Sequence, residues 1–270
     1  MTVDSPYLVP PGGRKFRLKD VKTDDRGAFR DKDDAAGPTQ ENLDALDGLQ
    51  ERLYAGGKHA VLVVFQAMDA GGKDGAIEHV FSGINPQGCA VTSFKAPTPR
   101  ELSQDFLWRV HAAVPPRGTI GIFNRSHYES VLVERVRGLV PKSVWERRYD
   151  HINHFERLLA DEGVTILKFF LHVSKDEQRR RLQARLDDPT KNWKFNVGDL
   201  KERGRWDDYQ QAFEDALRRC STDHAPWYVV PADRKWFRNW VVSDTLVRTL
   251  KKLNLKFPDP EPGLDRVVVK

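Results

Sequence analysis

Apolar positions follow two rhythms along this chain. Residues 59–68, HAVLVVFQAM, form an unbroken apolar run of strand length, the pattern of a strand buried on both faces as in a parallel sheet. Before it, QENLDALDGLQERLYA sets Leu43, Leu46, Leu49 and Leu53 at three- and four-residue spacing, which predicts a helix from about Thr39. After it, DAGGKDG breaks the pattern and AIEHVFSGI returns to helical periodicity. The succession then repeats: a strand at 89–95, a helix at 99–114, a strand at 118–123, helices at about 127–137 and 142–161, and a strand at 164–173. A helix over 174–186 opens on Ser174 with Glu177 three residues later, a capping box. A loop-rich insert at 187–204 precedes a helix at about 205–220, a strand at 225–232 and a helix at about 234–253. Strands alternating with helices predict an α/β fold with a five-stranded parallel sheet, and right-handed crossovers put helices on both of its faces. The expected division is an extended arm at 1–40, rich in Pro, Gly and Asp, a single domain at 41–257 with a lid at about 187–205, and a tail at 258–270.

Composition narrows the class. A chain of 270 residues is long enough for a substantial core, and 39% apolar content with seven Trp, fourteen Phe and six Tyr argues against global disorder. No apolar run approaches the roughly 20 residues a membrane-spanning helix needs, and the first residues lack the basic start and apolar stretch of a secretory signal. Only two cysteines occur, Cys89 and Cys220, far apart, so no disulfide scaffold or zinc ribbon is expected and the cytoplasm is the default compartment. The net charge of +5 is modest, but residues 176–205 carry nine Lys/Arg against six Asp/Glu. A locally basic segment holding Trp193 and Phe195 suits an anionic partner, and suits equally a solvated, salt-bridged helix face.

The chemistry starts at Ala67-Met68-Asp69-Ala70-Gly71-Gly72-Lys73-Asp74-Gly75, between a predicted strand and a predicted helix. Gly71, Gly72 and Gly75 permit a tight bend that exposes backbone N–H groups, the helix N-terminus adds partial positive charge, and Lys73 supplies an ammonium. Against the usual G-x-x-x-x-G-K-[ST], Ala67 replaces the first glycine and Asp74 the hydroxyl residue, so Asp69 or Asp74 would take over as metal ligand. A second cluster, Asn124-Arg125-Ser126-His127-Tyr128-Glu129, sits at the carboxyl end of the third strand, the side that faces the crevice in parallel α/β sheets. There Arg125 would bridge phosphoryl oxygens by its fork geometry, Glu129 would hold a metal or orient an acceptor, and His127 reads as a cap or surface histidine. In the basic insert and the helix before it, Lys191, Lys194, Arg203 and Arg185 are candidate cations of a lid closing over phosphates. After the second strand, Phe94, Lys95 and Arg109, together with Asn124, are candidates for holding a nucleotide acceptor; Trp108 reads as core. In the arm, Arg14, Lys15, Arg17 and Lys19 are candidate polymer contacts, or equally surface or subunit contacts.

The segments QAMDAGGKDGAIEHVFSGINPQG, TSFKAPTPRELSQDFLWR, FNRSHYESVLVERV, HINHFERLL, KFFLHVSKDEQRRRLQARL, KNWKF with GDLKERGRWDDY, and APWYVVPADRKWFRN together resemble the polyphosphate kinase 2 family over roughly residues 40–257. The resemblance implies a P-loop kinase-like three-layer α/β/α sandwich with a helical and loop lid. It implies magnesium as cofactor, inorganic polyphosphate as donor, AMP, ADP or ATP (with guanine nucleotides left open) as nucleotide partner, and homodimers or homotetramers. Carried over by motif, Asp69 and Lys73 are the functional pair of the loop, Arg125 the strand-end arginine, Arg185 the lid-base arginine, and Lys194 and Asp199 lid residues. Many members have Asp where this chain has Asn124 and Asn where it has Glu129; the combination here resembles the subgroup acting on both nucleoside mono- and diphosphates, and on chemical grounds beside the resemblance Asp69 and Glu129 are the expected metal ligands. The competing expectations are an ATP-dependent nucleoside or nucleotide kinase and a nucleic-acid-binding domain that uses the basic lid.

Overall fold

Strand β1 (Ala60–Ala67) is buried along its whole length, and its side chains divide by the two-residue pleat. Val61, Val63 and Phe65 join one apolar cluster, while Leu62 and Val64 join the other. Such a strand needs helices on both sides. In the computed structural model, which describes residues 2–13 and 15–269, it has them. Helices α1 (Lys32–Gly56), α2 (Lys73–Phe81) and α10 (Lys235–Lys252) cover the first face, through Leu46, Leu49, Ile77, Val80, Val242 and Leu246. Helices α6 (Lys142–Asp161) and α9 (Trp206–Cys220) cover the second, through Ile152, Phe155, Phe213 and Leu217.

Among the described residues, β1 is joined by β2 (Cys89–Ser93), β3 (Ile120–Asn124), β4 (Val164–His172) and β5 (Trp227–Pro231) in a parallel sheet of order β2-β3-β1-β4-β5. The connections run to β2 and β3 on one side of β1, then cross to β4 and β5 on the other. The carboxyl end of β1 is therefore the switch point where a crevice opens. The three-layer α/β/α architecture and five-stranded parallel sheet expected from the sequence are present. No helix among the described residues is long and apolar enough to cross a membrane.

Several boundaries differ from the periodicity. Helix α1 starts at Lys32, not near Thr39, because the Asp31 carboxylate accepts from the Asp33 and Asp34 amides, each at 3.0 Å, and caps it. The helix continues through Pro38 despite the lost donor. The helix expected at 99–114 is two short pieces, α3 (Pro99–Leu102) and α4 (Trp108–His111). The break follows from Asp105, whose side chain takes the Leu107 amide at 2.9 Å and diverts the backbone from the helix. The helix expected at 127–137 is a 3₁₀ turn, His127–Ser130, followed by one turn of α5 (Val133–Val136). Helix α7 (Lys175–Asp187) starts where expected, with the Ser174 hydroxyl accepting from the Glu177 amide at 3.1 Å, but the reciprocal half of the capping box is missing: the Ser174 amide donates to Asp233 at 2.8 Å and Glu177 accepts from Arg181. The insert after it holds more regular structure than its composition suggests: a 3₁₀ segment, Pro189–Lys194, and helix α8 (Val197–Gly204). The N-terminal segment lies along β5, where Val9 donates to the Trp227 carbonyl at 2.9 Å and Val229 donates to Tyr7 at 2.8 Å. Of the arm cations considered for polymer contact, Arg14 lies outside the described residues.

Beneath the β3 turn is a buried polar cluster. Lys168, on β4 and fully buried, donates to Glu156 at 2.5 Å, to the Tyr128 hydroxyl at 2.8 Å and to the Cys220 carbonyl at 2.7 Å. Glu156 also receives the Tyr128 hydroxyl at 3.0 Å and faces His127 Nε2 at 3.1 Å. His127 is thus a core residue, not the surface or cap histidine its sequence context suggests.

At the end of β4, burial pushes the His172 imidazole down to about 4, although the Asp233 charge and a hydrogen bond involving the Val21 backbone oppose it. The folded state then prefers the neutral ring. Its contribution to stability is complete above the unfolded value near 6.5 and is lost as pH falls from there towards 4. At about 1.4 kcal/mol per pKa unit this is roughly 3 kcal/mol. Urea titrations at pH 7 and pH 4 are expected to show that much less acid sensitivity in His172→Leu than in the parent; an unchanged difference would remove His172 as the cause.

Candidate active site

The phosphate loop is shaped by its neighbours as much as by its glycines. A Cβ on Gly71 would stand 2.8 Å from the Met68 carbonyl, and Gly72 has φ +98°, so neither position accepts a side chain without strain. Ala70 also adopts a positive φ, +57°. Gly72 caps α2, which places the helix N-terminus and Lys73 at the end of the bend. Lys73 is buried, with Nζ 3.3 Å from the Ala67 carbonyl. Burial and the nearby Arg125 charge hold its ammonium below the ordinary lysine range, while Asp69, Glu129 and Asp74 pull it back up. These are the residues expected to converge, and they do.

Parallel pairing brings the second cluster alongside. Phe65 is in register with Asn124, and Arg125 donates its amide to the Phe65 carbonyl at 3.1 Å. Arg125 itself has φ +64°, a left-handed conformation that costs a non-glycine residue about 1–2 kcal/mol. That bend turns its guanidinium back to Asp69, 3.3 Å away. Asn124 donates to the Asp74 carboxylate at 2.6 Å, so a carboxylate at 124 would face another carboxylate. Glu129 is partly buried; burial raises its carboxyl, Asp69 adds to that, and Arg125, Lys73 and a hydrogen bond from Gln66 counter it.

Three further residues that sequence reasoning did not single out meet here, with Lys235 within the influence of two of them. Arg181 on α7 donates to the Ala70 and Gly71 carbonyls at 3.2 and 3.0 Å and to Glu177 at 2.7 Å. Arg238 on α10 is 2% exposed and donates to the Gly72 carbonyl at 3.0 Å; burial and Arg181 push it down to about 10, still cationic at neutral pH. Lys235 is lowered by burial and then by the Arg181 and Arg238 charges. Gln178 donates to the Asp69 carbonyl at 2.9 Å. Arg238 and Lys235 follow β5, and the rule that strand carboxyl ends face the crevice applies there as it does at β1 and β3.

A cavity of about 330 Å³ opens beside the loop, lined by Asp69, Arg125 and Glu129 at one end and by Phe94, Lys95, Leu132, Val140 and Phe213 further along. Phe94 is buried edge-on to Phe123 at 4.9 Å with the Arg109 guanidinium over its ring at 5.0 Å, so those contacts already occupy the ring. Arg109 is held by the Lys95 carbonyl at 2.8 Å and by Glu101 at 3.4 Å. Trp108 is partly exposed, with Arg100 over it at 5.5 Å, and is not a core residue. The lid candidates pair mainly among themselves: Arg185 with Asp199 at 3.6 Å and with the Lys194 carbonyl at 3.1 Å, and Lys191 with Asp188 at 2.5 Å. Arg203 donates to Gln178 Oε1 at 2.9 Å and to the Lys175 carbonyl at 2.6 Å.

A divalent cation fits the donor set in one particular way. No cluster of three or more His, Cys, Asp or Glu side chains forms a ready-made cage among the described residues. Asp69 and Glu129 do line one cavity and feel each other's charge. Two carboxylates without a full protein cage suit a small hard cation that keeps waters and takes its remaining ligands from phosphate oxygens.

The sequence model of the polyphosphate kinase 2 family matches residues 30–258. An AMP/ADP-polyphosphate phosphotransferase of Meiothermus ruber is 58% identical over 264 residues, covering 97% of this chain and 98% of that one. An ADP-polyphosphate phosphotransferase of Rhodopseudomonas palustris is 46% identical over 93% of both chains. The crystal structure of polyphosphate kinase 2 from Arthrobacter aurescens TC1 superposes with a TM-score of 0.91 at 41% identity, covering 98% of this chain and 96% of that one. A glycine bend with a buried lysine, an arginine turned back onto the loop carboxylate and a match over most of the chain agree: this protein belongs to the polyphosphate kinase 2 family.

Proposed function

We propose that this protein transfers a phosphoryl group reversibly between inorganic polyphosphate and AMP or ADP, with Mg²⁺ bound at Asp69 and Glu129. The observation that carries the reading is the junction of two anion-adapted regions at the β1 switch point. One is the cavity beside Asp69, Arg125 and Glu129, sized for a small ligand. The other is the cation group Lys73, Arg181, Lys235 and Arg238 around the loop, outside the lining of that cavity. A polyanion carrying about one charge per phosphate requires such a run of cations on the donor side. Relatives named for AMP and ADP support the acceptor.

In the forward direction a terminal phosphate oxygen of the acceptor attacks the terminal phosphorus of the polymer. The bond to the bridging oxygen breaks, and the polymer leaves one phosphate shorter. The loop amides and Lys73 hold the donor end, and Arg125 spans the transferring group. A bound magnesium ion would neutralise phosphate oxygens at Asp69 and Glu129. The attacking phosphate is already anionic, so no general base is required, in keeping with His127 being committed to Glu156. The lid (187–205), with Arg185, Lys191, Lys194, Asp199 and Arg203, would exclude water that otherwise hydrolyses the polymer. Phe94, Lys95, Arg109 and Asn124 would shape the acceptor end, Phe94 and Arg109 by packing. We place the enzyme in the cytoplasm, where nucleotides are held; Cys89 and Cys220 are free thiols. The unit reading places the end of the arm, expected at residue 40, at the start of α1 (Lys32), with a transferase domain from there to 257 and a tail at 258–270, assembled as a homodimer or homotetramer.

A donor-by-acceptor matrix tests this directly: polyphosphate or ATP against AMP, ADP, GMP and GDP. The expected products are ATP from ADP and ADP from AMP, with polyphosphate consumed. Absence of ATP from ADP, magnesium and polyphosphate would sink the proposal, and transfer from ATP alone would favour an ordinary nucleotide kinase.

A further inference from the structure

Gln178 is fully buried on α7, and both ends of its amide are engaged. Nε2 donates to the main-chain carbonyl of Asp69 at 2.9 Å, and Oε1 accepts from Arg203 of α8 at 2.9 Å. One side chain thus joins the residue that opens the phosphate loop to the helix that forms the lid. We propose that Gln178 is a positioning residue that couples the seating of α8 to the placement of Asp69. The proposal rests on the reading of this loop as the phosphate site.

The physical reason lies in the amide itself. A primary amide is donor at one end and acceptor at the other, so its orientation is fixed only when both partners are present. With Arg203 in place, Oε1 is satisfied and Nε2 is aimed at the Asp69 carbonyl. With α8 lifted, a buried acceptor loses its partner, a costly state, and the amide is free to rotate away from the loop. Helix α8 is also clasped by Arg203 to the Lys175 carbonyl at 2.6 Å, by Asp199 to Arg185 of α7 at 3.6 Å, and by Glu202 to Arg137 at 3.1 Å and to the Tyr209 hydroxyl, so Arg203 arrives together with a whole helix face. Asp199 also feels the charge of Asp69, which places the lid carboxylate near the loop carboxylate. Fixing the Asp69 carbonyl fixes the backbone from which its carboxylate reaches Arg125.

The test uses the full chain and the variants Gln178→Met, Arg203→Met and the double. Hydrogen exchange is followed at residues 69–72 and 197–204 with and without inorganic tripolyphosphate, and kcat and KM for ADP are measured alongside. Slowed exchange at both segments is expected in the parent. In each variant slowing is expected to persist at 69–72 and to vanish at 197–204, with kcat down 10- to 100-fold, KM within about threefold, and the double no slower than the slower single. Parent-like slowing of 197–204 in Gln178→Met, losses that multiply in the double, or a raised KM with kcat intact would overturn the coupling. Should Gln178→Met not fold, Arg203→Met, on the partly exposed lid, carries the same readouts and is overturned by the same results. A parent that shows no slowing at 69–72 would instead remove the phosphate-loop reading, and this proposal with it.

Discussion

Replacing Lys73 with methionine is expected to lower kcat by about a thousandfold and to leave the fold as stable as before. The first half follows from the geometry. The Lys73 ammonium ends the glycine bend within the influence of Asp69, Asp74, Glu129 and Arg125, so it stands where charge on a transferring phosphoryl group would gather. Fixed cations in that role supply on the order of 10³-fold or more, and a thousandfold corresponds to about 4 kcal/mol of barrier. The second half follows from burial. Desolvation and the Arg125 charge both disfavour the ammonium, so an apolar chain of similar length relieves repulsion while giving up a 3.3 Å hydrogen bond to Ala67. Single-turnover kinetics with ADP and polyphosphate, beside a thermal melt, reads both. A variant within tenfold of the parent would deny Lys73 its role. A thousandfold loss accompanied by a collapsed Tm would mean that the lysine supports the fold.

Lys168→Met is expected to be the most damaging single change to stability, at about 3–5 kcal/mol. Burial alone would raise the Glu156 carboxyl, yet the Lys168 and His127 charges and hydrogen bonds hold it below the usual carboxylate range. Removing the ammonium strands that carboxylate in the core, facing a hydroxyl and an imidazole that cannot replace a full charge. For a chain of this size the expected fall in Tm is about 10 °C. The double variant Lys168→Met/Glu156→Leu is expected to recover most of it, because removing both charges removes the need to desolvate either. A single variant that loses under 1 kcal/mol in urea denaturation would reduce the pair to the weight of a surface ion pair.

The sheet was legible because its strands are dense in apolar residues, with Gln66 in β1 and Lys168 in β4 as exceptions, and the phosphate loop was legible because its chemistry is contiguous. What escaped the sequence was set by tertiary contact. The early start of α1 depends on the Asp31 carboxylate outweighing Gly37 and Pro38, and the break before α4 on Asp105 taking the Leu107 amide. Arg181, Arg238 and Gln178 reach the loop from α7 and α10, more than a hundred residues away, with nothing in their local context to distinguish them from solvated helix faces. His127 reads as a polar residue in a turn and becomes a core residue only because Glu156 and Lys168 converge beneath it.

The left-handed backbone at Arg125 has a consequence for anyone who would make this catalyst more durable. Glycine is the residue that conformation favours, so Arg125→Gly should relax the bend and raise the melting point while extinguishing turnover. A screen that ranks variants by heat resistance alone would promote that exchange and select a hardy, inert protein. At this position endurance and rate pull in opposite directions, and only an assay that counts product can tell which is being improved.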